Sequence, residues 1–129
     1  MKILYEDILL TYNKIKPYLK ITETSYSEQI SKKLNCNLFI KFENRQNTGS
    51  FKIRGALSKL LSLSGKEKSK GVIGMSAGNH AQGVAYSGNK LSVNTNIVMP
   101  LGTPFTKIRR TKAFGGNVFL KGNDLVESK

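Results

Sequence analysis

Two short stretches of this 129-residue chain carry residue types that can do chemistry on a small molecule. Ser76-Ala77-Gly78-Asn79-His80 follows an apolar run and enters a helical pattern. Its backbone N–H groups therefore collect at a helix start, an anion site suited to a carboxylate or phosphate. Asn79 adds an amide that both donates and accepts. The alternative is purely architectural: Gly78 permits a tight turn and Asn79 caps the helix. The second stretch, Gly49-Ser50-Phe51-Lys52-Ile53-Arg54-Gly55, puts Lys52 near the start of another helix. A lysine amine that has lost its proton is a nucleophile able to form a Schiff base. Lys52 is one lysine among seventeen, and most lysines are solvated surface groups. His80 reads as a helix-start residue rather than a general base.

Other chemistries fail on residue type or spacing. No Gly-x-Gly-x-x-Gly follows a strand, and no Gly-Lys-Ser/Thr phosphate loop occurs. Ser50 and Ser76 sit in no Gly-x-Ser-x-Gly elbow. The single Cys36 and single His80 supply neither an internal disulfide nor a metal ligand set, so no metal is expected. The balance of 21 basic against 8 acidic residues gives +13, which would suit nucleic acid if the cations were clustered among stacking aromatics. They run instead from Lys2 to Lys129, only four are arginines, and the aromatics lie in apolar patterns, so no nucleic-acid partner is expected. The chain lacks an apolar run of membrane-spanning length. The acidic Glu6 and Asp7 near the start argue against an export signal, which points to the cytoplasm.

The elements that would position these residues follow from periodicity. Leu4, Ile8, Leu9, Tyr12 and Ile15 repeat at helical spacing up to Pro17. Ser25-Tyr26-Ser27-Glu28 has capping-box spacing ahead of a helix that runs to about Asn35. Leu38 to Phe42 reads as a strand, Glu43 to Gly49 as a polar loop, and Ser50 to Leu61 as a helix with Ile53, Ala56, Leu57, Leu60 and Leu61 on one face. Lys66 to Lys70 reads as a solvated loop. Further strands are expected at Gly71–Met75, Thr95–Met99 and Asn117–Leu120. Helices are expected over His80–Lys90 and after Thr103, which caps with Pro104 at the first position. Alternation of this kind predicts an α/β fold of βαβ units with a parallel sheet, whose ligands bind at the carboxyl ends of the strands.

Taken at full length, the two stretches carry a resemblance. Lys41-Phe42-Glu43-Asn44-Arg45-Gln46-Asn47-Thr48-Gly49-Ser50-Phe51-Lys52-Ile53-Arg54-Gly55-Ala56, then Ser76-Ala77-Gly78-Asn79-His80-Ala81-Gln82-Gly83-Val84-Ala85, strongly resembles the threonine dehydratases. These are fold type II, tryptophan-synthase-β-like enzymes that depend on pyridoxal 5′-phosphate. The resemblance implies that Lys52 holds the cofactor as a Schiff base and later acts as base at Cα, while Phe51 lies against the pyridine ring. Asn79 would bond the phenolic oxygen, and Ser76, Ala77, Gly78, Asn79 and His80 would grip the substrate carboxylate. It implies α,β-elimination of threonine, and also of serine, to 2-oxobutanoate or pyruvate and ammonia. It further implies a homo-oligomer that takes a small amino acid, with a place in isoleucine biosynthesis.

Departures accompany the match. Ile53 stands where cysteine and threonine synthases usually carry Asp, and Ala77 lacks the hydroxyl that a serine racemase uses on the second face. Glu23 replaces a proline common in the family. The run of four glycines that cradles the cofactor phosphate is missing, and the longest glycine run is Gly115-Gly116. The fold is therefore expected to be incomplete. Residues 1–54 would be the N-terminal part of a large cofactor domain and residues 55–129 most of a small substrate-loop domain, inactive alone. The competing readings are a non-catalytic remnant and a serine racemase-like or serine dehydratase-like segment.

Overall fold

The computed structural model describes residues 2–128. The elements run α1 (Tyr5–Ile15), β1 (Thr24–Tyr26), α2 (Glu28–Leu34), β2 (Phe39–Lys41), α3 (Lys52–Ser62), α4 (Gly65–Lys70), β3 (Val72–Met75), α5 (Asn79–Lys90), β4 (Thr95–Met99), α6 (Phe105–Ala113) and β5 (Asn117–Leu120), with 3-10 turns at Lys16–Tyr18 and Glu43–Arg45. The three later strands form a parallel sheet in the order β3-β4-β5, with Gly74 opposite Ile97 and Ile97 opposite Val118. This bears out the expected βαβ units. β4 is central, and its Thr95, Ile97 and Met99 point to one buried face. On that face Ile97 and Met99 pack with Ala81 and Val84 of α5, Ile108 of α6 and Val118 of β5.

Helix α5 fits between this sheet and α3 because its inward residues are small: Ala81, Gly83, Ala85, Ser87 and Gly88 are all buried. A Cβ on Gly88 would lie 2.2 Å from Thr95 Cγ2 and 2.7 Å from the Val93 carbonyl oxygen, and one on Gly116 would lie 2.8 Å from Ala85 Cβ. The other side of the molecule is built on Ile15, Ile53 and Leu57, with Tyr18, Leu19, Leu61, Tyr86 and Leu91 around them. Tyr86 of α5 also meets Phe114 edge-on at 5.8 Å between ring centroids.

Several local expectations are corrected. The strand around Phe39–Lys41 does not join the parallel sheet; it pairs antiparallel with β1, Thr24 opposite Lys41 and Tyr26 opposite Phe39. β1 occupies residues assigned to a capping box. Thr24-Ser25-Tyr26 is extended, and Tyr26 meets Phe39 across the strands at 5.4 Å, the kind of cross-strand pair that favours pairing over a cap. Ser27 is left as an N-cap without a side-chain bond. The basic stretch Lys66 to Lys70 is helical rather than a loop, because Ser64 and Glu67 form a reciprocal capping box. Pro104, not Thr103, is the N-cap of α6, and the buried Thr103 Oγ1 has no partner among the described residues. In α1 only Ile15 is buried, while Leu4, Ile8 and Leu9 face outward. The expected apolar face exists but has nothing against it along most of its length.

The sheet is covered on one side. Consecutive right-handed crossovers with the strand order β3-β4-β5 put α5 and α6 on the same face. Ile73 is 75% exposed and Phe119 55% exposed on the opposite one. A parallel sheet is ordinarily buried on both faces.

The close approaches at Gly88 make a sharp expectation. Gly88→Ala should destabilise the chain by about 1–3 kcal/mol in urea unfolding, because the new methyl meets a carbonyl that cannot move without breaking the turn after α5. Adding Thr95→Ser removes the offending methyl but not the Val93 carbonyl, so it should recover only part of the loss.

Candidate functional site

Lys52 is the first residue of α3, and Phe51 is the residue before it. Both side chains are exposed, and Lys52 Nζ lies 5.0 Å from the centre of the Phe51 ring, a cation–π distance. Phe51 is 59% exposed, so an aromatic face is free beside the amine. The backbone of Lys52 is held from behind by α5. A Cβ on Gly83 would lie 3.2 Å from the Ile53 nitrogen, 3.2 Å from the Lys52 carbonyl carbon and 3.3 Å from its oxygen. A side chain at residue 83 would need the α3 backbone to give way by a few tenths of an ångström, so the glycine lets the two helices approach closely. The first turn of α5, four residues before Gly83, therefore lies beside the start of α3.

That first turn is the Ser76 to His80 segment at the carboxyl end of β3, where ligands of parallel sheets bind. Gly78 is the N-cap and Asn79 the first helical residue, with no side-chain cap bond, so the capping alternative for Asn79 does not hold. The Ser76 N–H donates to the Val98 carbonyl at 3.1 Å, and the Gly78 N–H donates to Ser76 Oγ at 3.2 Å. The N–H groups of Ala77, Asn79 and His80 donate to nothing else among the described residues. Asn79 and His80 are exposed, while Ser76, Ala77 and Gly78 are half-buried. Two buried polar atoms, Ser50 Oγ and Gln82 Oε1, flank the Lys52–Gly83 contact along the chain and have no hydrogen-bond partner in the described residues.

The polar residues between β2 and α3, a featureless loop in the sequence reading, are tied down one by one. Lys41 Nζ donates to the Thr22 carbonyl at 2.9 Å. The buried Gln46 amide makes a two-way pair with the Lys20 backbone, accepting from its N–H at 2.9 Å and donating to its carbonyl at 2.9 Å. Asn47 donates to the Tyr18 carbonyl at 3.1 Å. Glu43 accepts two parallel bonds from the Arg54 guanidinium, each 2.8 Å, and one from the Thr22 hydroxyl at 2.6 Å. Opposite charges flanking Lys52 at Glu43 and Arg54 were visible in the sequence; their pairing was the missed signal. Glu23, the departure from the family proline, lies 3.2 Å from Arg45 on the surface.

The donors fit one end of the expected cofactor. The types match: an amine for the aldehyde at Lys52, an exposed aromatic ring at Phe51 against it, and an exposed amide at Asn79 in the first turn of the neighbouring helix. The phosphate end has no cradle among the described residues. Gly115 and Gly116 are packing positions against Asn89 and Ala85. An apolar groove of about 620 Å³ lies elsewhere, between α1 and α3, lined by Ile8, Tyr12, Ile15 and Gly55 among others, and includes neither Lys52 nor the Ser76 to His80 turn. Among the described residues no group of His, Cys, Asp and Glu is arranged to hold a metal. None of the described helices is long and apolar enough to cross a membrane.

Comparison with known proteins agrees with this geometry. The family model for pyridoxal-phosphate dependent enzymes matches residues 15–129. The catabolic L-threonine dehydratase of Staphylococcus aureus is 45% identical over 116 residues, 89% of this chain and 34% of that protein. The L-threonine ammonia-lyase of Thermotoga maritima is 42% identical over 123 residues, 95% of this chain and 31% of that protein. The chain thus spans about a third of the length of the curated relatives it matches. Among solved structures, maize serine racemase superposes with a TM-score of 0.87 at 32% identity, over 95% of this chain and 37% of that one. Threonine deaminase isoform 2 of Solanum lycopersicum gives 0.82 at 38% identity, over 98% and 38%.

The Glu43–Arg54 pair gives the site a pH signature. The paired Arg54 guanidinium, opposed by burial and helped by Thr22, lowers the Glu43 carboxyl from 4.5 to about 2. A carboxylate whose folded pKa is depressed stabilises the fold above its unfolded value, and that stability drains away as pH falls from about 4.5 to about 2. After allowance for solvent at this half-buried pair, its size is about 2 kcal/mol. Unfolding of wild type and Glu43→Gln followed by circular dichroism should therefore differ most above pH 4.5 and converge toward pH 2.

Proposed function

The chain belongs to the family of pyridoxal-phosphate-dependent enzymes, and from that premise we propose that it is the N-terminal segment of a threonine dehydratase. The observation that supports this reading is the contact at Gly83, which holds the Lys52 backbone against α5 one turn from N–H groups left unused at the carboxyl end of a parallel strand. When bound, pyridoxal phosphate supplies an electron sink for charge developing at Cα of the amino acid.

The chain's own residues divide the remaining work. Lys52 would hold the cofactor covalently through its amine, and the freed amine would be the base that takes the proton from Cα of the amino acid. Phe51 would lie against the cofactor ring, and Asn79 would hydrogen-bond its phenolic oxygen. The Ser76, Ala77, Gly78, Asn79 and His80 turn binds the carboxylate through backbone N–H groups and the Ser76 hydroxyl, which orients the Cα–H bond toward Lys52. Departure of the β-hydroxyl then leads to the 2-oxo acid and ammonia, 2-oxobutanoate for threonine and pyruvate for serine.

A racemase reading is favoured by the close superposition on serine racemase, yet residue 77 is alanine, with no hydroxyl to protonate the second face. The same proposal divides the chain into residues 1–54, part of a cofactor domain, and residues 55–129, most of a substrate-loop domain. It makes the whole protein a cytoplasmic homo-oligomer, in keeping with a free, exposed Cys36 that a reducing compartment leaves unoxidised.

Incubation of the purified chain with pyridoxal phosphate, borohydride reduction and peptide mass analysis should put a pyridoxyl group on Lys52, and Lys52→Arg should remove that peptide's label. Threonine should yield no 2-oxo acid from this 129-residue chain, because its sequence holds no run of four glycines to cradle the phosphate. Oxo acid release above the Lys52→Arg background would contradict that expectation.

A further inference from the structure

We propose that Glu43 is a positioning residue for Lys52, acting through Arg54 and held in turn by Thr22. The inference rests on the reading of Lys52 as the cofactor lysine. It begins from a geometric problem. The contact at Gly83 fixes where the first turn of α3 sits, but a close backbone approach at one point does not fix how that turn is rotated about the helix axis.

The rotation is set on the opposite side. Residues two apart on an α-helix point about 200° away from each other, so Arg54 and Lys52 leave α3 in nearly opposite directions. Arg54 is held by two parallel bonds to Glu43, a fork that fixes the plane of the guanidinium as well as its distance. Glu43 cannot swing with it, because the Thr22 hydroxyl donates to the same carboxylate, and the Thr22 carbonyl is held by Lys41. The Gln46 and Asn47 bonds to the Lys20 and Tyr18 backbone then anchor the segment that carries Thr22. Pulling Arg54 toward the Tyr18 to Thr22 segment turns Lys52 the other way, to the exposed side where its Nζ lies against the Phe51 ring. Among the described residues Glu43 is the only carboxylate on Arg54, which makes it the hinge pin of the arrangement.

The test compares two lysines on one helix. Lys59 lies about two turns beyond Lys52 on α3 and is also exposed, so it reports general reactivity and helix integrity. The purified chain is treated with limiting pyridoxal 5′-phosphate and borohydride, and the label at Lys52 is divided by that at Lys59. The wild-type ratio should exceed one. Glu43→Gln, nearly isosteric but unable to hold the fork by charge, should lower it about fivefold, and Arg54→Lys, which keeps charge and loses the fork, should lower it similarly. Thr22→Val should lower it about twofold, while Thr22→Ser, which restores the hydroxyl, should return it to the wild-type value. A general loss of structure would move both lysines and leave no such rescue. If Glu43→Gln does not fold, the Thr22 pair decides, and equal ratios for Thr22→Val, Thr22→Ser and wild type overturn the proposal. A wild-type ratio above one that a folded Glu43→Gln leaves unchanged overturns the positioning role alone. A wild-type ratio at or below one instead overturns Lys52 as the cofactor lysine.

Discussion

The approach of α3 to α5 at Gly83 is the constraint on which the rest of the structure depends. With hydrogen in place of a side chain, α5 comes within van der Waals contact of the Lys52 and Ile53 backbone, and everything functional is measured from there. It explains why the inward face of α5 is almost entirely small residues. Ala81, Ala85 and Gly88 let the same helix lie against β4, so a single element touches both the sheet that ends in the Ser76 turn and the helix that begins at Lys52. A larger residue at Gly83 would push the start of α3 away from α5.

A second layer of order is polar. The residues from Lys41 to Asn47 use side chains, beyond the short β1–β2 pairing, to fasten the chain between α1 and β1 to the approach of α3. Gln46 replaces a neighbouring strand for Lys20, since one amide satisfies both an N–H and a carbonyl. Such bonds are directional in a way apolar packing is not, so they specify orientation at the point where an amine must face one way. The depressed Glu43 pKa is the electrostatic trace of the same arrangement.

The surfaces left open complement this picture. One face of the parallel sheet with Ile73 and Phe119, the outer side of α1, and Phe39 on the short antiparallel pair all present apolar side chains to solvent. The chain matches about a third of the length of its curated relatives, and the phosphate cradle is absent from its residues. Burial on one side only is what a parallel sheet does when part of its surroundings lies in other residues.

The sequence by itself determined the βαβ order, the place of the lysine and of the small-residue turn, and the family, because these depend on local periodicity and on contiguous motifs. Strands at Thr95–Met99 and Asn117–Leu120 and the helix ending at Lys90 were legible for that reason. It misassigned Thr24 to Tyr26 and the partner of Phe39, because strand pairing is a contact between distant residues and the same serines suit a cap or a strand equally well. Lys66 to Lys70 misled through charge, which says nothing about a cap two residues upstream. Only the tertiary structure decided that Glu43 meets Arg54 and Thr22, that Gln46 reads the backbone of Lys20, and that Gly83 is a contact rather than a weak point in a helix. Those facts depend on which surfaces come together across eleven or more residues, and neither residue spacing nor propensity records that.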